Sequence, residues 1–148
     1  MVFNRTQLDI DEAKSIRLKI QKGEEITSDE ISTLERGTFT VNTLNRIENK
    51  QQELYNLFIS SGYFCEFVES KEWGYNDIFD ESDFLRIIEN GEKLRRAFFD
   101  YQNSPSQAKA LYHFEEINAI EHILYDLDKN YQYMVSNWRE CGTFECGE

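Results

Sequence analysis

The sequence predicts an all-α fold, a single-domain helical bundle of about five helices over residues 1–148. Apolar residues recur at intervals of three and four in several segments, which is the spacing of one face of an α-helix. One proline and seven glycines are too few for a sandwich or barrel that must turn every 8 to 12 residues or so. The length is close to the commonest size of one domain.

Capping residues and glycines predict where the first two helices begin and end. Thr6, with Asp9 three residues later, predicts the start of a first helix, and Thr27 with Glu30 predicts a capping box for a second. The second helix should run to about Arg36. The glycines expected to end these helices are Gly23 and Gly37. The face that the first helix is predicted to bury comprises Ile10, Ala13, Ile16 and Ile20.

The third helix is predicted from about Thr40 to Ser61, with Gly62 as its terminator. Its register places the polar residue Gln51 inside the apolar stripe, which we interpret as a local flaw. The apolar members of the stripe are Leu44, Ile47, Leu54 and Phe58.

An extended segment is predicted after Gly62, over residues 63–68, because aromatic and β-favouring residues replace the helical period there. The tail 143–146 has similar character and follows Gly142. A minor two-stranded β element between these two segments is one hypothesis, and a frayed tail is the alternative.

Two longer helices complete the prediction. Asp80 should cap a fourth helix that runs to about Tyr101, with Gly91 inside it, and Ser104 and Pro105 predict a new helix start. The core face of the fourth helix comprises Phe84, Ile87, Ile88, Leu94 and Phe98. The clearest pattern predicts a last helix from about Phe114 to Glu140, whose seam is Ile117, Ile120, Leu124, Leu127, Tyr131, Met134 and Trp138.

The charge of the chain bears on its partners. A formal charge of −12 repels nucleic-acid phosphates and anionic lipid headgroups, so we expect neither nucleic acid nor a membrane as a partner. No run of about 18 apolar residues is present. Three cysteines without a C-x-x-C pair and the lack of an apolar leader predict a chain made in the cytoplasm with reduced thiols.

Catalytic and metal sites find little support in the sequence. His113 and His122 are nine residues apart, without a nucleophile motif beside them. Di-metal bundles place Glu three residues before His, but Ala110 and Ala119 occupy those positions. We therefore expect no enzyme activity, no cofactor and no metal.

Three aromatic residues outside the predicted helices are candidate protein-interface residues: Trp73, Tyr75 and Phe144. Tryptophan is over-represented among binding hot spots. For Trp73, an interface role and a packing role remain open. For Trp138, on the seam, core packing is the better interpretation.

Several motifs, in their order along the chain, resemble a helical module of structural proteins from phages and prophages of Firmicute bacteria. The module occurs alone in some of these proteins and attached to tail or baseplate proteins in others. The matching positions are Arg5, Thr6, Asp9 and Ile10; Gly37, Phe39 and Leu44-Asn45-Arg46-Ile47-Glu48; Gly62-Tyr63, Lys71, Trp73 and Asp77-Ile78; and Asn118, Ile120-Glu121, Leu124, Trp138, Gly142 and Gly147-Glu148. Phe79 and Gly74 depart from the module, which usually has proline and threonine at these positions.

The resemblance implies a structural or adaptor protein that acts through protein contacts and becomes part of a phage particle. Its partners would be other phage structural proteins or further copies of itself. The resemblance supplies no catalytic residues. The alternative is a cytoplasmic helical module that binds or regulates an unknown protein.

Overall fold

The structure is a computed structural model that describes residues 3–98 and 113–141, with the backbone alone for 138–141. These residues form five α-helices and no strand: α1 Gln7–Gln21, α2 Ser28–Gly37, α3 Val41–Ser60, α4 Glu81–Phe98 and α5 Phe114–Cys141. The all-α prediction is confirmed. The helix start predicted at Ser104 lies outside the described residues.

The helix starts follow the predicted capping chemistry. The Thr6 hydroxyl accepts from the Asp9 amide, and the Asp9 carboxylate accepts from the Thr6 amide in return. Thr27 and Glu30 form the same reciprocal box at α2. At α4, Asp80 Oδ1 accepts from the Asp83 amide at 3.0 Å. Side chains therefore satisfy amides that the first turn of a helix leaves without partners.

Gly23 and Gly62 end α1 and α3 in the left-handed conformation, with φ of 76° and 85°. At the end of α3 the Gly62 amide donates to Ile59 and the Tyr63 amide donates to Phe58. The Tyr63 and Phe58 rings then meet edge to face, 6.4 Å between centroids. This is a Schellman motif with its usual hydrophobic contact.

Gly37 ends α2, as predicted, but it is the last residue of the helix and its φ is not positive. A Cβ added there would lie 2.1 Å from the Asp9 carbonyl oxygen and 2.6 Å from Ala13 Cβ. Gly37 is therefore needed where the backbones of α1 and α2 approach closely. On α1, Ala13 and Ile16 are buried near this crossing, whereas the predicted core residue Ile20, in the last turn, is 44% exposed.

Gly37→Ala should lower the free energy of unfolding by about 1–3 kcal/mol, because the neighbouring backbone must shift to admit a methyl group. Chemical denaturation would measure it. Gly23→Ala separates backbone strain from steric contact. A Cβ at Gly23 meets no atom within 4 Å, so that substitution is unfavourable only through the φ of 76°. A Gly37→Ala protein as stable as the wild type would disprove the close approach.

The three longer helices run in the same direction. Lys50 of α3 forms an ion pair with Asp128 of α5 at 3.0 Å. Further towards the C-terminal ends of both helices, the hydroxyls of Ser61 and Tyr131 form a hydrogen bond at 2.8 Å. The start of α4 likewise meets α3 at Gln51, and the end of α4 stacks Phe98 on Phe58 at 4.8 Å. Because consecutive helices are parallel, the connection from α3 to α4 must return along the whole length of the bundle.

The predicted apolar faces of α3, α4 and α5 form one core. Their fully or nearly fully buried members are Leu44, Ile47, Leu54, Phe58, Phe84, Ile87, Ile88, Leu94, Ile117, Ile120, Leu124 and Leu127. Ile123, which the seam did not include, is buried with them, and Phe98 is half-buried. Tyr131 and Met134 of the seam are half-buried, and the side chain of Trp138 lies outside the described residues.

Leu124→Ala should cost about 2–5 kcal/mol of stability, because Leu124 is fully buried and the truncation leaves a cavity among three helices. Chemical denaturation is again the measurement. Leu85→Ala on α4, at a residue 39% exposed, should cost clearly less. A change below about 0.5 kcal/mol for Leu124→Ala, the range of surface substitutions, would place that face of α5 outside the core.

The segment 63–68 is not helical, as predicted, but it is not a strand either. Its proposed ladder partner, residues 143–146 with Phe144, lies outside the described residues. The backbone of Val68 instead pairs with a side-chain amide: Val68 N donates to Asn90 Oδ1 at 3.1 Å, and Asn90 Nδ2 donates to Val68 O at 2.8 Å. A helix side chain thus does what a neighbouring strand would do.

Candidate protein interface

The return segment, residues 63–73, is fixed to the bundle by polar side chains of α3 and α4. Asn45 repeats the pattern of Asn90: Trp73 N donates to Asn45 Oδ1 at 2.8 Å, and Asn45 Nδ2 donates to Trp73 O at 2.9 Å. Stacking of Phe67 on Tyr55, 4.6 Å between centroids, adds an apolar contact. The segment therefore has defined positions at its middle and at its end.

Glu48 of α3 joins the return segment to α4. Its carboxylate is fully buried and accepts from Trp73 Nε1 at 2.9 Å, from Lys71 N at 3.1 Å and from the Arg86 guanidinium. The hydrogen bonds to Glu48 raise the pKa of Arg86. Lys71 in turn pairs with Asp83 and lies 5.2 Å from the centre of the Trp73 ring.

Trp73 is a core residue and not an exposed interface residue. It is 6% exposed, and its indole N–H is satisfied inside the protein by Glu48. The structure thus resolves the choice that the sequence left open, because a buried carboxylate gives the indole N–H a partner and lets the ring pack inward.

The five residues after Trp73 form a projecting loop, called here the 74–78 loop. Its two ends are held together because Trp73 and Phe79 pack edge to face, 5.4 Å between centroids. Inside the loop, Gly74 N donates to Asp77 Oδ2 at 2.6 Å, and Asp77 N donates to Gly74 O at 3.2 Å. The turn is therefore anchored by one buried aromatic ring, Trp73, and one half-buried ring, Phe79.

Tyr75 and Ile78 project from the 74–78 loop into solvent, each 87% exposed. Tyr75 is one of the three candidate interface residues, and its side chain is accessible to a partner. Ile78 was missed, although an apolar residue outside every helical stripe and beside a Gly-Tyr-Asn-Asp turn could have indicated it. Phe144, the third candidate, lies outside the described residues.

The second buried carboxylate, Glu121 of α5, fixes the N-terminal arm. Its oxygens lie 2.5 Å from Arg5 Nη1 and 2.6 Å from Arg46 Nη2. Asn118, one turn earlier, accepts from Arg5 N at 3.3 Å and donates to Arg5 O at 2.9 Å. Phe3 stacks on His122, 4.6 Å between ring centroids.

No family model, curated protein or solved structure was found to match this chain. The function therefore has to be argued from the described residues themselves.

Most of the residues that carry the phage-module resemblance lie in the part of the chain that the structure describes; Gly142, Gly147 and Glu148 lie outside it. Many of them belong to the polar contacts that fix the arm and the return segment, namely Arg5, Asn45, Arg46, Glu48, Lys71, Trp73, Asn118 and Glu121. These motifs therefore describe how non-helical segments attach to the helices.

One cavity of the structure lies beside Arg5 and Gln7. This cavity of about 300 Å³ opens between α1, the end of α2 and the start of α5, and its polar side chains include Lys14, Thr38 and His113. The Thr38 hydroxyl donates to the Leu34 carbonyl, and His113 lies 3.6 Å from Glu115. None of the residues described as lining this cavity is a carboxylate, a serine or a cysteine, so it lacks an activated nucleophile of the usual kind.

Metal and thiol chemistry can be assessed over residues 3–98 and 113–141. Within that part of the chain, His, Cys, Asp and Glu do not form a group of three or more that could hold a metal ion. Burial raises the pKa of the Cys65 thiol, which lowers its reactivity. None of the helices described there has the length and apolar character needed to cross a membrane.

Proposed function

We propose that the chain is a non-enzymatic structural or adaptor protein of a phage or prophage, which acts through protein–protein contacts. The observation that carries the proposal of protein contacts is the 74–78 loop, where Tyr75 and Ile78 are almost fully exposed on a turn of fixed shape. The phage context comes from the resemblance over residues 5–148.

The build of the loop supports a role in binding. A surface held in one conformation before binding loses less conformational entropy when a partner arrives. Tyrosine is enriched among the residues that dominate binding energy. Exposed apolar patches are typical of protein interaction sites, and Tyr75 and Ile78 lie three positions apart on one loop.

The alternative is a cytoplasmic protein-binding or regulatory module, which would use the same loop. In both cases the acidic surface makes nucleic acid and anionic membranes poor partners. Portal, terminase and tail genes beside the coding sequence would favour the structural role. In that role the chain is made in the cytoplasm and then incorporated into a particle, where it meets other structural proteins or further copies of itself.

Mass spectrometry of particles purified after prophage induction in the source strain tests the structural role. The proposal predicts that the chain is present in a fixed ratio to the major particle proteins and stays with them through a density gradient. A chain that is expressed in the induced cells but absent from washed particles would contradict the structural role and leave the regulatory alternative.

A further inference from the structure

We infer that the 74–78 loop docks on a basic segment of a partner protein, in which lysine and arginine side chains flank apolar ones. The inference rests on the proposed function, since it names the chemistry of the partner at the same surface. It follows from the charges around the loop and from the way the nearby cations are already used.

Between the flanking cations Lys71 and Arg86, the exposed charges of the chain all have one sign. From Glu72 to Leu85 the chain carries five acidic residues and no lysine or arginine. Asp83 is buried, and the four exposed carboxylates are Glu72, Asp77, Asp80 and Glu81. Hydrogen bonds from the Ser82 hydroxyl and the Asp83 amide lower the pKa of Asp80, so that it is ionised at neutral pH.

The two cations that flank this stretch compensate mainly buried carboxylates. Lys71 pairs with the buried Asp83, and Arg86 pairs with the buried Glu48. The four exposed carboxylates outnumber the one exposed cation, Lys71, so the surroundings of Tyr75 and Ile78 keep an excess of negative charge. A partner that covers the two apolar side chains is favoured if it brings positive charge to the rim, because opposite charges attract across an interface and like charges repel.

The same charges argue against a second copy of the chain as the occupant. Each copy would bring an identical acidic rim, and the formal charge of −12 adds long-range repulsion. A basic segment would instead be attracted from a distance and then held by apolar contact with Tyr75 and Ile78. The dependence of binding on salt should thus come from the rim, and most of the affinity from the apolar pair.

A random-peptide display library is a suitable probe while the partner is unidentified. Peptides selected on the immobilised wild-type protein, after depletion on a Tyr75→Ser/Ile78→Ser variant, should be enriched in lysine and arginine beside apolar residues. The best synthetic peptide should bind the wild type about tenfold or more tightly than that variant. Glu72→Gln/Glu81→Gln should weaken it several-fold at low salt, and this difference should shrink as salt is added.

The matched control is Phe64→Ser, which removes an aromatic residue that is 82% exposed at the other end of the return segment. It should leave peptide binding unchanged, and circular dichroism should show all variants folded. Selected peptides that need Tyr75 and Ile78 for binding but are neutral or acidic would show that the partner is not basic, although the loop would still be a docking surface.

Two other results would overturn the inference. If no selected peptide distinguishes the wild type from Tyr75→Ser/Ile78→Ser, the loop is not a docking surface for a peptide segment. If sedimentation shows a dimer that Tyr75→Ser/Ile78→Ser abolishes, the occupant is a second copy of this chain.

Discussion

Glu121→Ala should lower the free energy of unfolding by about 3–5 kcal/mol, because it removes the carboxylate that forms a buried ion pair with the guanidinium of Arg5. Glu121 is fully buried, and only 3% of the Arg5 side chain is exposed. Arg46, the second partner, is 36% exposed and can turn to water. Chemical denaturation of the purified variant measures the change.

A matched control removes a carboxylate from an exposed pair. Asp11 lies 3.4 Å from Lys14, and both side chains are more than half exposed, so Asp11→Ala should change stability by less than about 0.5 kcal/mol. The loss of stability in Arg46→Ala should lie between those of the other two variants, because Glu121 still pairs with Arg5. Equal effects for Glu121→Ala and Asp11→Ala would show that the carboxylate of Glu121 is not buried.

Glu48→Ala should also cost about 3–5 kcal/mol, since it removes the nearer carboxylate partner of Arg86, leaving Asp83 at 3.9 Å, and the acceptor of two N–H groups. These groups are Trp73 Nε1 and Lys71 N. The loss should loosen the return segment as well as the bundle. Denaturation measures the stability, and hydrogen exchange of the Lys71 amide, which should become faster, measures the segment.

Glu53→Ala is the control on the same helix, because Glu53 is 55% exposed and pairs only with Lys50. It should leave both the stability and the exchange of Lys71 close to those of the wild type. If Glu48→Ala lowered stability without changing exchange at Lys71, the link between Glu48 and the return segment would be wrong.

The helices could be predicted because the features that define them are local. The boxes at Thr6 and Thr27 and the terminators Gly23 and Gly62 each lie within a few residues of the helix end that they specify. The apolar stripes of α3, α4 and α5 could be predicted from the spacing of apolar residues alone, and most of their members are buried as expected.

The buried polar residues could not be predicted, because their partners are distant in the sequence. Glu121 is indistinguishable in sequence from a surface glutamate until Arg5, 116 positions earlier, is brought beside it. Gln51 was interpreted as a flaw in its stripe, yet it is fully buried and its amide donates to the Ile87 carbonyl at 2.7 Å. Its burial depends on where α4 lies, which no local pattern reveals.

The same reason explains the outcome for the candidate interface. The extended character of residues 63–68 was visible, but the identity of its hydrogen-bond partner was not, and a side-chain amide of Asn90 serves where a strand had been expected. Trp73 and Tyr75 were equivalent as sequence candidates. Only the position of Glu48 makes one of them internal and leaves the other on the projecting loop.

Site-specific photo-crosslinking in the producing cells tests the central claim, that the protein acts through contacts made by the 74–78 loop. A photoreactive phenylalanine derivative would replace Tyr75 in one protein and Phe64 in another. We expect crosslinks from position 75 to one or a few defined proteins. These crosslinks should disappear when Ile78→Ser is introduced into the same protein, and position 64 should give none. No crosslink from position 75, or the same products from both positions, would contradict it.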